Sequence, residues 1–182
     1  MKKLTFALFA AVVTATALNA ADCFASKQQQ YMFERAIAPA KENAQITECL
    51  LKQLKSDNFE DFDRVAASLR KSNNTAPALP LIMQIFKESK NPQAAFSAAA
   101  FLISAPYELA QYEKPLLNII SSTAPDYKKT LAVIVLSSMG ALDARYAPFL
   151  TPAIDGKDIV LQAYAAGAYT IIAPHAQGQY LD

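Results

Sequence analysis

The stretch Asn91-Pro92-Gln93-Ala94-Ala95-Phe96 decides the fold, because it opens a helix-length segment that the chain repeats. That segment runs to about Ser104. Similar openings follow 33 residues later at Ala124-Pro125-Asp126 and a further 33 residues on at Lys157-Asp158, and Asp57-Asn58 stands 33 residues before the first. Asn, Asp and Pro are typical of helix N-termini. A fixed period of this length is the signature of a repeat architecture.

Proline marks the other half of each unit. Leu79-Pro80-Leu81-Ile82, Lys114-Pro115-Leu116-Leu117 and Ala147-Pro148-Phe149-Leu150 each place Pro in the first turn of a predicted helix, where its missing amide costs no hydrogen bond. No stretch shows the alternation of apolar and polar residues that is typical of strands. The sequence therefore predicts an all-α chain of helix pairs, spanning roughly 43–72, 77–104, 112–140 and 145–173, after a leading helix near 27–38.

The third pair resembles a HEAT repeat most clearly. Its first helix contains Tyr112-Glu113-Lys114-Pro115-Leu116-Leu117-Asn118-Ile119-Ile120, its turn Pro125-Asp126, and its second helix Leu131–Gly140. Asp155-Gly156-Lys157-Asp158 is similar to the turn between the two helices of that family, although Leu161 stands where an Arg is usual. The resemblance implies a short right-handed α-solenoid of about four antiparallel helix pairs over residues 43–182. An irregular all-α bundle is the alternative.

The N-terminus has the layout of a cleaved secretory signal peptide. Lys2 and Lys3 precede an uncharged apolar run, Leu4–Leu18, and small residues follow up to Ala20 and Ala21. That run of about fifteen residues is short of the roughly 20 that a spanning helix needs. We therefore expect residues 1–20 to be a signal peptide cleaved near Ala20, residues 21–42 to form an N-terminal segment with the leading helix, and the protein to be periplasmic or secreted.

Cys23 and Cys49 are the only cysteines of the chain. In an oxidising compartment, pairing is the default for two thiols, so the sequence predicts one disulfide between them. Two free thiols are one alternative. A lipid anchor on Cys23 is the other, and it is disfavoured because Asp22 occupies the position where a lipoprotein signal has Gly or Ala.

Composition excludes several classes of site. The net charge of +1 gives no basic surplus for nucleic acid. Four widely spaced glycines cannot form a phosphate-binding loop, and one His with two Cys cannot supply an ordinary zinc ligand set. We expect no cofactor, no metal and no catalytic residue. The polar candidates for chemistry are His175 after Pro174 and the acidic residues Asp57, Glu60, Asp61 and Asp63, for which surface and helix-terminal roles are the simpler interpretation.

Two classes of function remain open. The first is a non-enzymatic protein-binding scaffold or adaptor of the bacterial cell envelope, with its partner on a face of the solenoid. Tyr112 and Tyr146 both lie just before a first-helix Pro and are candidate partner-binding residues, because Tyr combines apolar area with a hydroxyl. The second is an enzyme or enzyme subunit that acts on a small molecule through His175 or the acidic residues. Lys128 and Lys129 are expected to be solvated turn charges near Asp126.

Overall fold

The computed structural model describes residues 23–54, 59–140 and 144–177. All regular structure in these ranges is helical, which confirms the predicted all-α class. The α-helices are α1 (Lys27–Glu34), α2 (Ala40–Gln53), α3 (Phe59–Lys71), α4 (Leu79–Glu88), α5 (Pro92–Ile103), α6 (Glu113–Ser121), α7 (Asp126–Ser138), α8 (Thr151–Ile154) and α9 (Ile159–Gln177). Short 3-10 helices lie at Ala76–Ala78, Pro106–Glu108, Ala110–Tyr112 and Ala144–Phe149. The predicted signal peptide, residues 1–20, lies outside the described residues.

Polar side chains start two of the helices as the sequence predicts. The Oδ1 atom of Asn91 accepts a hydrogen bond from the Gln93 amide at 2.9 Å, and Pro92 opens α5. The carboxylate of Asp158 accepts from the amides of Val160 and Leu161, both at 3.0 Å. Each side chain thereby satisfies amides that have no partner within their own helix.

The leading helix and its successor differ slightly from the predicted ranges. Helix α1 ends at Glu34, and Ala36 follows with a left-handed φ of 56°. Helix α2 then begins at Ala40, directly after Pro39 in the N-cap position, rather than at residue 43.

The first helix of the fourth predicted pair is broken into two pieces. Pro148 lies inside a 3-10 helix, Ala144–Phe149, and the following α8 has only 4 residues. Pro148 and Pro152 are four residues apart, and neither has an amide to donate. A continuous α-helix through both would lose two hydrogen bonds, so the single long helix expected here was wrong in this part.

The helices pack in successive pairs and then in a row. Helix α2 packs on α3, α4 on α5, α6 on α7, and α8 with the preceding 3-10 helix on α9. The second members also contact one another in chain order, α3 with α5, α5 with α7, and α7 with α9. Helix α5 is covered on more than one side, as its apolar sequence predicts: Ala95, Ala98, Ala99, Phe101 and Leu102 are buried.

The N-terminal helices are tied together covalently and by hydrogen bonds. The sulfurs of Cys23 and Cys49 are 2.08 Å apart, a disulfide distance, which confirms the predicted pair. A sulfur bonded to Cys49 cannot also carry a diacylglyceryl thioether. On α1, the carboxylate of Glu34 accepts from Ser68 Oγ at 3.1 Å and from Lys71 Nζ at 3.2 Å, both on α3.

Candidate interaction surface

The exposed side of α9 is the largest apolar feature of the described surface. Ile159 is 77% exposed, Val160 55%, and Tyr164, Tyr169 and Ile171 about two fifths each. An exposed isoleucine alone is unremarkable, but a group of large apolar side chains on one helix marks an interaction site. Asp, Glu, Lys and Arg are absent from the sequence of α9, so this surface carries none of the charges that usually keep a helix in water.

Helical geometry places these residues in a definite pattern. At 100° per residue, Ile159, Ala163, Ala166, Gly167 and Thr170 point most directly away from the protein. Val160, Tyr164 and Ile171 lie on one flank of that line, and Tyr169 lies on the other. We call these nine residues, all exposed, the outward face of α9.

The opposite side of α9 faces the protein. Ala165, Ala168 and Ile172 are buried there, and α9 packs against α7, α8 and the 3-10 helix Ala144–Phe149. The ring of Tyr164 meets the ring of Phe96 edge to face, with centroids 5.9 Å apart. These contacts hold the helix in one orientation, so the outward face is a fixed surface rather than a loose chain end.

The few polar groups near this face already have partners in the same chain. The Thr170 hydroxyl donates to the Gly167 carbonyl at 2.7 Å. The amide nitrogen of Gln162 donates to the Ile154 carbonyl at 2.6 Å. Covering the outward face would therefore leave neither of these donors unsatisfied, which removes a common cost of burying a polar surface.

Tyr112 and Tyr146 occupy less accessible positions than the α9 tyrosines. Each lies in a 3-10 helix, and each side chain is half-buried and packs against the core. Burial raises the pKa of the Tyr112 hydroxyl. Their role in partner binding stays a prediction.

A shallow groove of about 460 Å³ lies beside α2. Its lining residues are Ala40, Asn43, Ala44, Thr47, Glu48, Leu51, Asn74 and Pro77. The polar groups in it bond mainly to their own chain. Asn43 Oδ1 accepts from Asn74 Nδ2 at 2.6 Å, and Glu48 pairs with Lys52 at 2.8 Å. Few of its polar groups are left to orient a small molecule, so the groove is a weaker candidate site than α9.

The residues proposed for chemistry are not gathered into a site. Asp63 is exposed on α3, whereas Asp57 and the side chains of Glu60, Asp61 and His175 lie outside what the structure describes. Among the described residues, no three His, Cys, Asp or Glu side chains come close enough to share a metal ion. In the same ranges, no helix is long and apolar enough to cross a membrane.

Lys128 corrects one expectation. It is only 7% exposed, and its ammonium donates to the Lys87 carbonyl in the last turn of α4 at 2.9 Å. A cation there satisfies a helix-terminal carbonyl and lies at the negative end of the helix dipole. Burial lowers the pKa of the Lys128 amine. Local sequence suggested a solvated charge because the contact joins residues 41 positions apart.

The sequence contained a signal for the α9 surface, namely the 19 residues of α9 without Asp, Glu, Lys or Arg. It could not show that this helix is covered on only one side, because α7 is nearly as apolar and is covered all round. Comparison with known proteins adds no assignment: no family model, no curated protein and no solved structure matches this chain.

Proposed function

We propose that this protein is a non-enzymatic protein-binding scaffold of the bacterial cell envelope, and that its partner docks on the outward face of α9. The observation that carries the proposal is the exposed, charge-free apolar surface of that helix. Contiguous apolar patches on a folded surface are typical of protein–protein contacts. The fixed orientation of α9 and its internally satisfied polar groups favour docking further.

We also propose that the helix pairs form a short right-handed HEAT-like solenoid. The second helices begin at Phe59, Pro92, Asp126 and Ile159, which are 33 or 34 residues apart. Equivalent connectors are joined across one unit, since the Thr75 hydroxyl donates to Glu108 at a separation of 33 residues. In a solenoid, each unit covers the apolar face of the one before it. The row of α3, α5, α7 and α9 leaves the last helix with such a face uncovered.

Export to the periplasm or the medium is part of the same proposal. The N-terminal Lys pair and apolar run support a cleaved signal peptide. The Cys23–Cys49 pair supports an oxidising compartment. N-terminal sequencing of the protein from cells should find a mature chain that begins near Ala21. A chain that begins at Met1 would contradict export by signal cleavage.

Cross-linking in envelope extract tests the docking surface. Protein lacking residues 1–20 is compared with two variants, Ala166→Glu on the outward face and Ala44→Glu on α2. Both alanines are exposed within helices, so the pair controls for the added charge itself. We expect the wild type and Ala44→Glu to form the same protein adducts, and Ala166→Glu to lose them. Equal adduct formation by Ala166→Glu would exclude this face as the docking surface.

A further inference from the structure

We propose that the occupant of the outward face of α9 is a second copy of this chain, in a two-fold dimer that packs the two α9 helices against each other in antiparallel orientation. This inference rests on the proposed function, because it names the partner of the same surface. A two-fold interface brings one patch against an identical patch. The question is therefore whether this face is compatible with itself.

The absence of charge makes the face compatible with itself. Near a two-fold axis, each side chain meets its own counterpart, so a single Lys or Glu would face a like charge. The outward face has no such group, and none occurs elsewhere in α9. Two α9 helices can therefore approach along their length without like-charge repulsion. Antiparallel packing also sets the dipole of one helix against the opposite end of the other.

Gly167 points to close approach of another backbone. It stands one residue from the midpoint of α9, and a Cβ atom built on it would meet nothing within 4 Å. Packing within this chain therefore gives no reason for a glycine there. Glycine inside a helix costs about 1 kcal/mol relative to alanine. The bare backbone is useful if a neighbouring helix crosses at this point, with Ala163 and Ala166 beside it.

The area of the face sets the expected strength of the dimer. From their exposed fractions, the five large apolar side chains present on the order of 500 Å² per copy, and the small residues between them add to this. Both copies together would bury roughly 1,200 Å², at the lower edge of specific interfaces. The structure therefore favours a reversible dimer with a dissociation constant of about micromolar order.

Sedimentation equilibrium of protein lacking residues 1–20 tests this inference, over about 1 to 500 µM, a range that brackets micromolar dissociation constants. We expect a monomer–dimer equilibrium for the wild type and for Ala44→Glu. Ala166→Glu should stay monomeric throughout, because it places two carboxylates near the axis. Gly167→Ala should raise the melting temperature of the dilute monomer and weaken the dimer several-fold, since the added methyl groups separate the helices.

Three results would overturn the inference. They are a wild type that is monomeric at every concentration, an Ala166→Glu variant that dimerises as the wild type does, and a Gly167→Ala variant that dimerises more tightly. The extract experiment separates this failure from that of the proposed function. A monomeric wild type whose adducts with another protein disappear in Ala166→Glu would reject the second copy and keep the docking surface.

Discussion

Helices α7 and α9 have similar apolar character but opposite surroundings. In α7, every side chain from Thr130 to Ser137 is buried, because α5, α6 and α9 all pack on this helix. In α9, the buried side chains of the described part are Ala165, Ala168 and Ile172, all toward the neighbouring helices. The difference teaches that an evenly apolar helix needs neighbours on every side, and that α9 lacks one of them.

The largest expected effect compares the same substitution in the two helices. Ala132→Glu in α7 buries an unpaired charge at a site with 0% exposure and should destabilise the fold by about 4 kcal/mol or more. Ala166→Glu in α9 faces solvent in the monomer and should change stability by less than about 0.5 kcal/mol. Thermal melts followed by circular dichroism of dilute protein measure both. Equal melting temperatures for the two variants would show that α7 and α9 are not covered differently.

The N-terminal end provides the second contrast, since it is closed by a covalent link whereas α9 is open on one side. The disulfide spans 26 residues, and loss of a loop of this length should cost about 3 kcal/mol. Urea denaturation of the double variant Cys23→Ser, Cys49→Ser should show this loss relative to unreduced wild type. Reducing the wild type should lower its stability to that of the variant. Two titratable thiols in unreduced protein would contradict the disulfide.

A smaller effect is expected at the buried end of α7. Lys128→Met removes the bond to the Lys87 carbonyl and should cost about 1 kcal/mol near neutral pH. Lys129→Met, next to it and less buried, is the matched control. Urea denaturation measures both.

The same lysine has a pH signature with a definite sign. Because burial lowers its pKa in the folded state, the unfolded chain binds more protons between that value and the ordinary lysine value. Stability from this group therefore rises with pH across that interval, and Lys128→Met should remove the rise. Identical alkaline profiles for Lys128→Met and wild type would contradict the burial of this amine.

Local chemistry explains which parts of the fold could be predicted. Asn91 and Asp158 are caps whose effect is confined to the next three residues, so their sequence alone indicates where α5 and α9 begin. The disulfide followed from the count of cysteines and the inferred compartment. These features do not depend on distant parts of the chain.

The remaining features depend on contacts that sequence does not encode locally. Lys128 is buried because α4, 41 residues away, ends beside it. The α8 region is broken because Pro148 and Pro152 act together, whereas each alone is ordinary at a helix start. The exposure of Ile159 and Val160 follows from the missing neighbour of α9 rather than from their own sequence. The α9 surface was therefore visible as a charge-free run, but not as a surface.

Residue-specific cross-linking between isotopically distinct copies is the most direct test of the central claim, that the outward face of α9 docks against a second copy. Tyr169 is replaced by the photoreactive p-benzoylphenylalanine in chain labelled with ¹⁵N, and this chain is mixed with unlabelled wild type. Mass spectrometry then identifies the adducts. We predict mixed-isotope adducts that join position 169 to residues within Ile159–Gln177 of the other copy. Adducts confined to a single chain, or joining position 169 to another part of the second copy, would contradict it.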